Sequence, residues 1–177
     1  MKKRPEYMNK KSTQTLQEGL EEHYKINSDL TNAATQPDDF GKILLAHDVA
    51  HIIYGCDTNM YDELKLLPLS WWTSECTFQE YLKMRKNPAV DVMYDDLIKR
   101  HGVIWLYLSI IFVLPRLLPE LISIWFKTRN RRNRVPFLEF EPLLNRSLLD
   151  IRQEFGILDL IKSQIRDEES FSSSSES

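Results

Sequence analysis

The run 103-VIWLYLSIIFVLPRLLPELISIWF-126 constrains this chain most, because so much contiguous apolar surface has to be covered by something. From His101 to Pro115 no Lys, Arg, Asp or Glu interrupts it. That stretch still falls short of the roughly 20 residues a membrane-spanning helix needs. Arg116 and Glu120 then lie inside the segment, and Pro115 and Pro119 are expected to break a helix there. The segment reads as a core helix followed by a broken, partly exposed one. Its Leu, Ile, Phe and Trp side chains either pack in the core or form a surface for an apolar ligand or a lipid interface. A single span stays open as an alternative, since Arg116 and Glu120 could pair at i, i+4.

Helical signals dominate the rest. Five glycines and little strand-like alternation point to an all-α fold, a single compact helical domain of five to seven helices. Pro37, Asp38 and Asp39 start a helix that runs through Phe40, Ile43, Leu44, Val49 and Ile53 to Gly55. Thr77 and Glu80 form a capping box for 78–86, and Asn87-Pro88 opens a helix that Gly102 ends. A last helix carries Leu144, Leu148, Ile151 and Phe155 on one side, with Gly156 at its end. Residues 1–36 read as an N-terminal arm, 37–166 as the helical domain, and 167–177 as a disordered acidic, Ser-rich tail. The N-terminus fits neither a secretory signal nor a transit peptide. Two cysteines, Cys56 and Cys76, make no disulfide framework.

Chemistry concentrates in 46-AHDVAHIIYGCDTNMYDEL-64. On a helix His47 and His51 lie one turn apart on the same face, with Asp48 at its border. Imidazoles with a carboxylate suit zinc or ferrous iron and suit magnesium poorly. Glu63 would sit about 18 Å further along a straight helix. It can join the histidines only if the chain turns back, which Gly55 and Cys56-Asp57-Thr58-Asn59 allow. The other reading is the polar face of an ordinary helix, with Asp62 and Glu63 in a solvated turn and Cys56 a small buried thiol.

The spacing His47-Asp48-x-x-His51, eleven residues, then Glu63 resembles the zinc-ligand motif of the coenzyme Q (ubiquinone) biosynthesis family known as Coq four. Gly55 fits that pattern. The run 140-FEPLLNRSLLDIRQEFGI-157 resembles the family's closing helix through Arg152, Glu154, Phe155, Gly156 and Ile157. Asp62 stands where the family carries glycine, and Asn145 where it carries an acidic residue. The resemblance implies a helical, peripheral membrane protein that holds zinc, with iron as the other metal, through His47, Asp48, His51 and Glu63. It implies a prenylated quinone precursor as ligand, oxidative removal of a ring carboxyl group, partner enzymes of the ubiquinone pathway, and a homodimer. The place implied is the cytoplasmic side of the inner membrane. Trp105, Phe112, Leu117, Ile122 and Trp125 are the candidate contacts for the isoprenoid tail. Asp48 is a candidate for proton transfer, or for orienting a histidine from behind. No GxGxxG fingerprint supplies a nucleotide oxidant, so dioxygen or a partner would provide it.

The cations Lys127, Arg129, Arg131, Arg132 and Arg134 follow the apolar segment directly. Next to such a surface they favour anionic lipid headgroups or a lipid phosphate over nucleic acid, for which no reader motif is present. Two other classes compete. An HD-type metal phosphohydrolase would use His47-Asp48 with His23 upstream and Asp91 or Asp95 downstream, and would ignore Glu63. A non-catalytic isoprenoid-lipid carrier or scaffold would use the metal only to secure a helix to its loop.

Overall fold

The computed structural model describes residues 4–28, 38–76 and 102–161, together with Gln79 and Lys83. Apart from Gln79, Lys83 and Gly102, the expected helices over 78–86 and 88–102 lie outside the described residues, as does the tail 167–177. Those described are all-α: α1 (Leu16–Ile26), α2 (Asp38–Tyr54), α3 (Met60–Thr73), α4 (Val103–Thr128) and α5 (Leu148–Glu154), with short 3-10 turns before α1 and on both sides of α5.

Helix α2 forms where the sequence places it. Gly55 follows at φ +61°, a left-handed position that ends a helix at little cost for glycine. Its buried residues Ala46, Val49, Ala50, Ile52 and Ile53 lie among α1, α3 and α5.

Residues 4–28 differ from expectation. They are not an arm outside the domain but part of its core: Tyr7, Met8, Leu16, Leu20 and His23 are all buried. Helix α1 starts on a capping box in which the Thr15 hydroxyl accepts from the Glu18 N–H while Glu18 accepts from the Thr15 N–H. Its N-terminus lies against that of α5. Leu16 N–H donates to the Arg146 carbonyl at 3.0 Å, and Leu148 N–H donates to the Gln14 carbonyl at 2.7 Å. Each chain entry thus satisfies donors the other helix would leave orphaned. Gly19 is where α1 meets α2 closely. A Cβ there would stand 2.6 Å from the Ile52 methyl Cγ2 and 3.3 Å from Tyr7 Cβ. Gly19→Ala should therefore destabilise the chain by about 1–3 kcal/mol despite alanine's better helix propensity. Thermal unfolding followed by circular dichroism checks this.

The apolar run 103–126 is also corrected. It forms one continuous helix, α4, with Pro115 and Pro119 inside it. Both prolines are exposed. The carbonyls they leave without an amide partner are therefore on the water-facing side, where solvent replaces the lost bonds. The opposite side, with Leu117, Ile124 and Thr128, is buried, and α4 packs chiefly on α3. Among the described residues, no helix is long and apolar enough to cross a membrane.

Candidate metal centre

The turn the sequence requires is present. Asn59 caps α3 by accepting from the Asp62 N–H at 3.0 Å, and Asp62 in turn accepts from the Asp57 N–H at 3.0 Å. This box reverses the chain and puts Glu63 in the first turn of α3, facing back to α2. His47, His51 and Glu63 each offer one donor atom, and the three atoms lie within 4.8 Å of one another. Glu63 divides its oxygens: Oε2 is 3.5 Å from His47 Nε2, and Oε1 is 3.2 Å from His51 Nε2. The two imidazoles meet edge to face with centroids 4.7 Å apart. His51 is buried, whereas His47 and Glu63 are each about a third exposed, at 37% and 35% of the side chain. The centre is closed on one side and reachable from water on the other.

Two borderline nitrogen donors and one carboxylate converging from two elements fit a zinc-like ion and leave coordination positions open. Without a cation, a proton binds the group together. Burial works against a charge on His47, but Asp48 and Glu63 outweigh it and lift its pKa to about 9. Burial likewise opposes ionisation of Glu63, yet the two histidines hold its carboxyl well below the usual range.

Asp48 is placed differently from the other three. It is 5% exposed. Its Oδ2 accepts from the Tyr24 hydroxyl at 2.6 Å, and its Oδ1 lies 3.8 Å from His47 Nδ1. It stands behind His47 rather than beside Glu63. His23 is fully buried, stacked on His51 with ring centroids 5.6 Å apart, and its Nδ1 meets the Tyr7 hydroxyl at 3.1 Å. Burial, and then His51, lower its pKa to about 4, so it is a neutral ring. Cys56 is a buried thiol whose pKa burial pushes up to about 12, and it lies outside the His47–His51–Glu63 group. Asp62 is engaged by Lys65 at 2.9 Å and by its turn.

The other sequence candidates spread along α4 and the loop after it. Phe112, Ile122 and Trp125 are exposed, Leu117 is fully buried on the inward side, and the Trp105 side chain lies outside the described part. Glu120 turns inward, accepting from the Tyr61 hydroxyl at 2.5 Å with Lys65 at 3.9 Å. Arg129 lies over the Trp125 and Phe126 rings, and Arg132 is exposed. Three of the cations bond to backbone. Lys127 reaches the Asp159 carbonyl, Arg131 those of Phe155 and Gly156, and Arg134 that of Ser74. Much of the basic run thus pins the loop to the domain. Asp91 and Asp95 lie outside the described residues.

Sequence reading missed Tyr24. Nothing local marks a tyrosine whose partner is 24 positions away. Compared with protein-family models, curated proteins and solved structures, the chain matches none.

Proposed function

We propose that this chain is a metal-dependent protein of membrane surfaces that acts on an isoprenoid-tailed quinone precursor. The observation that carries the reading is the convergence of His47, His51 and Glu63 across the α2–α3 turn. That convergence favours it over the phosphohydrolase reading, which needs Asp48 among the ligands and makes no use of Glu63. His47, His51 and Glu63 would hold zinc or ferrous iron. Once bound, such an ion supplies Lewis acidity toward an aromatic hydroxyl or carboxylate. The chain's own contribution is placement. The buried side of the centre excludes water behind His51, while exposed His47 and Glu63 leave a way in for the ring. The reaction in view is loss of a ring carboxyl group as carbon dioxide with oxidation of that carbon, by dioxygen or a partner-held oxidant. Organising pathway partners and homodimerisation belong to the same reading.

The tail and the membrane are assigned to α4. Ile104 and Phe112 are 76% and 71% exposed, and Tyr107, Ile111, Leu118, Ile122 and Phe126 continue the apolar surface. The Tyr61–Glu120 bond joins this helix to the first turn of α3, where Glu63 sits. Trp125, Phe126 and Arg129 give one end the aromatic and cationic character of a lipid interface.

Vesicle flotation tests this part. Phe112→Asp with Ile122→Asp should lower partitioning into vesicles by at least about tenfold, since each large side chain contributes about 1.5–3 kcal/mol when buried. Arg129→Gln and Arg132→Gln should each reduce binding to anionic vesicles about fivefold, from about 1 kcal/mol per cation, and leave neutral vesicles unaffected. Wild-type protein that ignores both vesicle types contradicts the membrane assignment. Quinone-precursor turnover by the metal-loaded chain, lost in Glu63→Gln, tests the chemistry.

A further inference from the structure

We propose that Tyr24 is a positioning residue of the metal centre, holding Asp48 behind His47 and out of the ligand shell. This inference rests on the metal reading above. The His47 ring lies between two carboxylates, one for each nitrogen. Nε2 faces Glu63 at 3.5 Å, and Nδ1 faces Asp48 Oδ1 at 3.8 Å. A neutral imidazole carries one proton, and the group facing the far nitrogen decides where that proton sits. A carboxylate behind Nδ1 keeps the proton there and leaves the Nε2 lone pair pointing at Glu63.

Asp48 lies in a nearly closed space, where a side-chain carboxyl group needs a strong hydrogen-bond donor to hold its place. Tyr24 supplies one: its hydroxyl reaches Oδ2 at 2.6 Å, a length typical of a phenol bonded to a carboxylate. The bond takes up one oxygen and fixes the plane of the group. Freed from Tyr24, the carboxylate would be able to rotate and compete with Glu63 for the cation. Helix α1 therefore backs both histidines. His23 stacks on His51, and Tyr24 acts on His47 through Asp48.

A mutant cycle on the full-length protein tests this. Cobalt(II) and zinc affinities are measured by chelator competition for wild type, Tyr24→Phe, Asp48→Asn and the double variant. The cobalt(II) absorption spectrum and the melting of each metal-free protein are recorded beside them. Tyr24→Phe should weaken both metals about 10–100-fold, in the range of lost ligand-orienting partners. The cobalt spectrum of Asp48→Asn should keep the wild-type coordination number. If Tyr24 acts through Asp48, the double variant should bind no more weakly than Asp48→Asn alone. A purely structural tyrosine would lower melting and add its effect to that of Asp48→Asn, which overturns the inference. Unchanged affinity in Tyr24→Phe overturns it too, as does a cobalt spectrum in Asp48→Asn showing one oxygen ligand fewer. Wild-type protein that takes up neither metal overturns the metal reading itself, and the inference falls with it.

Discussion

Arg152→Met lowers the unfolding free energy by about 3–5 kcal/mol, the largest stability effect expected of any single change in the described chain. Arg152 is fully buried at 0% exposure, and its five donors end on backbone carbonyls. Nε reaches Ile53 at 2.9 Å, Nη2 reaches Ile52 at 2.8 Å and Tyr7 at 2.5 Å, and Nη1 reaches Asn9 at 2.6 Å and Lys10 at 3.5 Å. Ile52 and Ile53 belong to the last turn of α2, whose carbonyls carry the negative end of its dipole, and the Ile52 carbonyl also accepts from the Gly55 N–H at 3.3 Å. The guanidinium therefore ties α5 to the end of the helix that carries His47 and His51 and to the N-terminal segment at once. Burial depresses its pKa to about 10, which still leaves it charged at neutral pH. Methionine fills much of the space but donates nothing; the Ile52 and Asn9 carbonyls keep the Gly55 and Ser12 N–H groups, whereas those of Tyr7 and Ile53 lose their donor, at about 1–3 kcal/mol each before water reaches them. Arg152→Lys should recover less than half of the loss, because an ammonium cannot fan out to both segments at once. Urea unfolding followed by circular dichroism measures both. A methionine variant within about 0.5 kcal/mol of wild type contradicts this role.

Metal affinity should rise about tenfold per pH unit from pH 7 to 9 and level off above that. The His47 proton, held with a pKa of about 9, has to leave before its nitrogen can bind a cation. The metal-free protein should show the reverse linkage. The His47 pKa is raised on folding, so the stability it contributes is complete below about 6.5 and fades as pH rises through about 9. His23 has the opposite sign. Its pKa falls to about 4 on folding, so below about 6.5 the unfolded chain gains a proton that the folded one refuses. Glu63, held low, also loses its contribution as pH falls below the ordinary carboxylate range. Metal-free protein should therefore be most stable near neutral pH, with His23→Gln flattening the acid side. Denaturant titrations across pH test this, and an acid limb unchanged in His23→Gln contradicts the assignment of His23.

Much of α2 and of the triad was legible in the sequence because the signals are local. His47 and His51 share a face by helical period alone. Gly55 at a positive φ, and Asn59 with Asp62 in a capping turn, announce the reversal that brings Glu63 back. The N-terminal segment is hard to read from sequence for the opposite reason. Its composition is polar and charged, and Tyr7, Leu16, Leu20 and His23 are buried by partners far along the chain. The Thr15-x-x-Glu18 capping box is the local signal that marks the start of α1. Pro115 and Pro119 suggested a break because local propensity says nothing about which side of a helix faces water. Tyr24–Asp48 and Arg152 are tertiary contacts between distant residues, and no spacing rule reaches them.

Native mass spectrometry of the intact protein with zinc or cobalt(II), beside Glu63→Gln, tests the metal centre most directly. One ion per wild-type chain, with affinity lowered more than about 100-fold in the variant, is the expected result. Wild-type protein that takes up no ion, or a variant that binds as well as wild type, contradicts it.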